Sequence, residues 1–157
     1  MARLVLMCGL AGAGKSTYAR ALESRGWRRF SIDVEMWRLG HDESTTDLDE
    51  LAAGIRAAHR QEIAQALDAG QDVVVDYSFS SRSQRDDYRA LGRAHGAVVE
   101  VVYLETAEHV LRRRLAHRRG GHADDVIVEP ELFERHRAGF EPPDDDEPDV
   151  TVISTLD

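Results

Sequence analysis

The chain has one cysteine, Cys8, and one lysine, Lys15, among its 157 residues. A lone cysteine excludes an internal disulfide framework, and the role expected for it is that of a small buried hydrophobe. Aromatic residues reach only 6%, and they form no aromatic-basic platform on which the bases of a single strand could stack. No apolar run approaches the roughly 20 residues that cross a bilayer. The stretch Leu4-Val5-Leu6-Met7-Cys8 is shorter than a signal-peptide core and leads straight into a glycine-rich loop, so it is predicted to be a strand. The seven histidines show no metal-ligand spacing, and the chain has no internal repeat or linker. A net charge of −9 speaks against a long nucleic-acid footprint, although local basic patches leave a short one open. These absences lead to the expectation of one soluble, cytoplasmic domain spanning residues 1–157, long enough to bury a core and without a membrane partner. Oligomeric state is not legible.

What is present begins at Gly9-Leu10-Ala11-Gly12-Ala13-Gly14-Lys15-Ser16-Thr17. Every fixed position of the phosphate-binding pattern G-x-x-x-x-G-K-[ST] is satisfied. The glycines allow a tight curl in which successive N–H groups point inward at phosphate oxygens. The helix predicted to start near Lys15 adds its positive dipole end. Lys15 is placed to reach β- and γ-phosphates, and the Ser16 hydroxyl to coordinate Mg²⁺. Of the 20 basic residues, 19 are arginine. The one position where a compact, flexible ammonium suits a phosphate carries the one lysine.

The rest alternates strand and helix, which predicts an α/β fold: a three-layer arrangement with a five-stranded parallel sheet and helices on both faces. A second strand is expected over Arg28–Ile32, ending at Asp33. A long helix runs from about Asp47 to Ala69 and stops at Gly70. Val73-Val74-Val75-Asp76 reads as a fully buried strand with a carboxylate at its end. Ser81 is predicted to cap a helix reaching about His95, and Ala97–Leu104 is the fourth strand. Thr106 is expected to cap a helix over Glu108–Arg119, followed by a loop at Gly120-Gly121. A helix from Pro130 and a last strand at Val150–Ile153 complete the pattern. In such a sheet ligands gather beyond the carboxyl ends of the strands, where the glycine-rich loop, Asp33 and Asp76 would converge.

Taken together, the phosphate loop, the Ile-Asp at strand two, Val-Val-Val-Asp-Tyr-Ser-Phe followed by Arg85, and Leu-Arg-Arg-Arg-Leu-Ala-His-Arg resemble the small P-loop kinases. The similarity is to the branch containing chloramphenicol phosphotransferase, zeta toxins and the kinase domain of polynucleotide kinase, and it covers roughly residues 2–155. No Asn-Lys-x-Asp guanine motif and no Asp-x-x-Gly switch follows the third strand. The resemblance implies a three-layer P-loop fold, ATP and Mg²⁺ as cofactors, and transfer of the γ-phosphoryl group to a hydroxyl of a small-molecule acceptor. A 5′-hydroxyl polynucleotide or nucleoside kinase is the alternative within enzymes. A nucleotide-binding regulatory or toxin-like module with slow hydrolysis is the alternative outside them.

On that resemblance Asp33 accepts the proton of the acceptor hydroxyl; read locally, it is also suited to cap a helix over Val34-Glu35-Met36-Trp37. Asp76 is expected to hold Mg²⁺ or contact the acceptor. By helical geometry Arg118 shares a stripe with Leu111 and Leu115, with Arg114 beside it. Both are candidates for an arginine-bearing lid around residues 114–128, the flexible Gly120-Gly121 segment included. Arg85 matches a position near acceptor or phosphates, and its neighbours Arg82, Arg89 and Arg93 read as solvated. Trp37, one helical turn past Asp33, is the acceptor-pocket candidate. Asp144-Asp145-Asp146-Glu147 reads as a solvated acidic loop near the adenine base, bordered by Phe140-Glu141-Pro142-Pro143.

Overall fold

The computed structural model describes residues 1–42 and 44–155; Glu43, within the 34–50 segment that resists sequence reading, and the last two residues lie outside the described part. Five strands form one parallel sheet: β1 (Arg3–Cys8), β2 (Arg28–Phe30), β3 (Val73–Val75), β4 (Val98–Thr106) and β5 (Val150–Thr155), in the order β2-β3-β1-β4-β5. The helices are α1 (Lys15–Glu23), α2 (Ile32–Arg38), α3 (Leu48–Asp68), α4 (Arg82–Ala94), α5 (Glu108–Ala116) and α6 (Pro130–Gly139). The predicted alternation and parallel sheet are therefore observed. No helix among the described residues is long and apolar enough to cross a membrane.

The strand period of two divides the apolar side chains between two cores. Leu4, Leu6 and Cys8 of β1 face one layer with Val73 and Val75, where Ile63 and Leu67 of α3 and Tyr88 of α4 cover them. Val5, Met7 and Val74 face the other, beneath Ala19 of α1, Leu111 and Leu115 of α5 and Phe133 of α6. All three valines of β3 are fully buried, as a central parallel strand requires. Gly92 lets α4 settle closely on the sheet, since a Cβ there would come within 2.5 Å of a Val99 methyl and 2.8 Å of Leu4.

Register places the functional ends together. Leu6 of β1 pairs with Val75, and Phe30 of β2 pairs with the same residue. The residues that follow, Gly9, Ser31 and Asp76, thus leave the sheet at one edge. Backbone bonds tie them there: Gly9 N–H donates to Ser78 O at 3.1 Å and Asp76 N–H to Phe30 O at 2.8 Å.

Four local expectations are corrected. Strand two ends at Phe30, because Ser31 takes the N-cap of α2 and its hydroxyl accepts from Val34 N–H. Asp33 accordingly sits in the first turn of that helix, not at a strand end. Thr106 belongs to β4, and Ala107 is the uncapped start of α5. That helix stops at Ala116, so Arg118 lies beyond it. The acidic run before β5 is not wholly solvated, for Glu147 is buried.

Glu147 also explains the correction at Arg85. The Arg85 guanidinium is 1% exposed and forks onto Glu147 through Nε at 2.8 Å and Nη2 at 2.9 Å, while Nη1 donates to Phe79 O. Arg89, also expected to be solvated, donates to the same carboxylate at 2.8 Å and to Pro148 O. Arg85 is a core strut between α4 and the approach to β5, with no donor directed at an acceptor pocket. Burial raises the Glu147 carboxyl, but the hydrogen bonds from Arg85 and Arg89 outweigh it and hold the group below its ordinary value. Removing one partner from such a cluster strands buried charge. Glu147→Gln should therefore cost about 3–5 kcal/mol, read by urea unfolding with the wild type as reference. A depressed folded pKa means that the wild-type contribution is complete above the unfolded value of 4.5 and fades as pH falls through the folded one. The stability difference between the two proteins should shrink over that acidic window.

Candidate active site

The loop between β1 and α1 is built on glycines that adopt positive φ. Gly12 has φ 89° and Gly14 φ 99°, a region costly for residues bearing a Cβ. A Cβ at Gly12 would also stand 3.3 Å from Leu111 O, so α5 packs directly behind the loop. Gly14 is the N-cap of α1 and supplies no side-chain cap. The first-turn N–H groups of this nine-residue helix, including those of Lys15, Ser16 and Thr17, have no partner within the helix. They form a positive concave end suited to an anion. Leu10, Ala11 and Ala13 complete the curl, closed by Ala13 N–H on Leu10 O at 3.1 Å.

Lys15 folds back over this loop, donating from Nζ to Gly9 O and Leu10 O at 2.9 Å each. Desolvation pulls its pKa down, while the carboxylates of Asp76 and Asp33 push it back up. Asp76 follows β3 directly, and Asp33 comes from the first turn of α2. Asp33 is reachable by solvent, yet protein crowds its carboxyl group. Desolvation and then Asp76 raise its pKa, with Asp124 adding to them, against the opposing pull of Lys15 and Arg118. A carboxylate with a raised pKa, facing an ammonium and a guanidinium, has the character of a proton acceptor. Trp37 lies four residues on along α2, on the same helical face, and is 47% exposed.

Asp76 is buried and does not stand alone. Arg29 of β2 grips its Oδ2 through Nη2 at 2.7 Å and Nε at 3.1 Å. The same guanidinium reaches Asp124, in the loop after α5, at 2.6 Å. Asp124 in turn lies near the Ser16 side chain. Sequence reasoning missed Arg29 and Asp124. An arginine inside a strand otherwise destined for burial was the available signal for Arg29; nothing local marks Asp124.

The two candidate arginines take different stations. Arg114 donates from Nη1 to Gly12 O at 2.9 Å, bracing the phosphate loop from α5. Arg118 is half-buried, donates to Val126 O at 3.0 Å and lies within charge range of both Lys15 and Asp33. The structure thus gathers Lys15, Ser16, Asp33, Asp76 and Arg118, with Trp37 on the face of α2 that carries Asp33. It leaves Arg85 in the core. Phe140 packs against Tyr103, with ring centroids 5.9 Å apart, and Glu141 N–H donates to Ser80 O, which seats the predicted base-side loop against β4 and the β3–α4 connection.

Parallel strands in this order, a glycine-rich loop feeding α1 and an acid directly after β3 define a P-loop kinase-like fold. The family described as AAA domain matches residues 4–143, and the chain belongs to that family. A relative from Acidothermus cellulolyticus, named nucleotide-binding protein, is 33% identical over 142 residues, covering 83% of this chain and 40% of its own length. The chain thus spans about two fifths of that relative. Among solved structures, a putative kinase from Chloroflexus aurantiacus superposes with a TM-score of 0.75 at 19% identity, covering 99% of this chain and 89% of that one. A sugar kinase from Janibacter sp. superposes with a TM-score of 0.68 at 21% identity, over 98% and 86% of the two chains. These likenesses establish the fold.

The positive φ at Gly12 and its closeness to α5 give a direct check on the loop. Gly12→Ala should lower stability by about 1–2 kcal/mol, measured by thermal unfolding, and should weaken anion binding at the loop.

Proposed function

We propose that this protein is an ATP-dependent phosphotransferase that moves the γ-phosphoryl group to a hydroxyl of a small-molecule acceptor. The observation that carries the reading is Lys15 folded over the phosphate loop, with Asp33 within charge range of it and of Arg118. Phosphoryl transfer requires little covalent chemistry from the protein; it requires positioning and charge stabilisation. In this reading the residues Gly9 to Thr17 cradle the phosphates through backbone N–H groups. Lys15 leaves the two loop carbonyls to neutralise the outer phosphates, and Arg118 offsets negative charge that develops during transfer. Asp33 orients the acceptor hydroxyl and takes its proton, and Trp37 borders the acceptor.

The donor set fits a hard divalent cation such as Mg²⁺: the Ser16 hydroxyl at the start of α1 and the Asp76 carboxylate after β3 are oxygen donors. When bound, that ion would neutralise phosphate charge, with Ser16 as its ligand and Asp76 holding it directly or through water. The acidic surface and the small-molecule kinase among the fold neighbours favour a small acceptor over a polynucleotide.

Three measurements test the reading. Lys15→Ala should weaken ATP binding by roughly tenfold to a hundredfold, the loss of a charge-assisted contact, in isothermal titration. Asp33→Asn should retain ATP binding while turnover falls roughly 10²–10⁴-fold. A panel of sugars, antibiotics, nucleosides and short oligonucleotides, scored for acceptor-stimulated ADP release, supplies the substrate. The raised Asp33 pKa fixes the sign of the pH dependence, because only its ionised form accepts a proton. The acid limb of kcat/KM should lie above the 3.8 of an ordinary aspartate and should be absent from the residual activity of Asp33→Asn. Unchanged ATP affinity in Lys15→Ala would remove the nucleotide from the site.

A further inference from the structure

The loop between α5 and α6 is organised from within. Asp125 accepts from the N–H groups of Arg119 and Gly121 through Oδ2, both at 3.0 Å, and Gly120 N–H donates to Asp125 O. Arg118 joins this unit through Val126 O. The next acid along, Asp124, turns the other way. Its Oδ1 receives Arg29 Nη2 at 2.6 Å, and its Oδ2 receives Arg20 Nη1 at 3.0 Å and Arg29 Nη1 at 3.3 Å. The Ser16 side chain lies near it as well. Ser16 and Arg20 are four residues apart on α1, hence on one face, and Arg29 comes from the adjoining strand. Two guanidiniums from two elements therefore converge on one side chain that is only 10% exposed.

We propose that Asp124 is a latch: its carboxylate, held by Arg29 and Arg20, keeps the 117–129 loop down across the phosphate loop and thereby positions Arg118. Asp125 makes the loop stiff, so fastening it at one point fastens all of it. Arg29 is the catch, and because its other side grips Asp76, the closed loop and the strand-end acid share one guanidinium. Asp124 touches no reacting group in this scheme; it is a positioning residue that acts through Arg118.

The latch itself requires no assumption about turnover; only its effect on Arg118 rests on the phosphotransfer reading. Two readouts separate them. The first is limited trypsin digestion of the full chain, following cleavage after Arg118 and Arg119, with cleavage after Arg56 in α3 as internal reference. Asp124→Asn keeps the shape and removes the charge, and it should raise the loop cleavage rate about tenfold or more, in line with the loss of a charge-assisted bond. Asp124→Glu, which retains the charge, should bring the rate back toward wild type. Equal loop cleavage in wild type and Asp124→Asn overturns the latch. The second readout is steady-state kinetics with an acceptor found in the panel. Asp124→Asn should reduce kcat about tenfold with a smaller change in the KM for ATP, and Asp124→Glu should recover part of it. Faster loop cleavage with an unchanged kcat overturns the positioning of Arg118. Faster loop cleavage in a chain that phosphorylates no acceptor leaves the latch standing and removes the phosphotransfer reading instead.

Discussion

Everything at the candidate site depends on β3 being hydrogen-bonded between β1 and β2. Parallel strands paired in this register finish at the same edge, and the chain leaves each of them with a different chemical group. β1 delivers the glycine-rich curl, β2 the helix turn bearing Asp33, and β3 the carboxylate of Asp76. The pairing is held by valines wholly removed from water on both faces, each contributing about 1.5–3 kcal/mol of burial. A slip of one residue would turn every one of those side chains to the opposite layer. The geometry of the polar site is thus secured by the packing of an apolar strand only three residues long.

Charge governs the second level of organisation. Asp76 and Asp124 share one guanidinium, and both push the Asp33 carboxyl up. The fold sets Lys15, Arg118, Arg29 and Arg20 against them. These cations differ in what they do: Arg29 is committed to two carboxylates at once, whereas Lys15 donates to two carbonyls of the loop. A planar fork suits the fixed double bridge, and a flexible ammonium suits a role in which the partner changes. The arginine-rich composition and its one lysine acquire a physical meaning from that contrast.

A second charged cluster lies away from the site, where Arg85 and Arg89 close on Glu147. It joins α4 to the segment entering β5, and so fixes the far half of the sheet relative to the near half. Arg85 shows where pattern reading stops. Its position after a buried strand, on a stripe of arginines, agrees equally well with a ligand contact and with a core strut. Only the partner decides between them, and that partner lies 62 residues away.

Much of the fold was legible without coordinates, because it rests on local rules: strand and helix periods, glycine after helices, Ser81 capping α4 and a phosphate loop with fixed spacing. The boundaries that failed did so for equally local reasons, such as Ser31 outcompeting Asp33 for the cap of α2 and α5 ending two residues before Arg118. Sequence alone determined that a glycine-rich curl follows a buried strand and that an acid, Asp76, follows the buried third strand, since backbone conformation and burial are written in residue type. Tertiary structure alone decided which charges meet. Arg29 with Asp124 spans 95 residues, and no short-range preference encodes a contact whose existence depends on how separate elements stack.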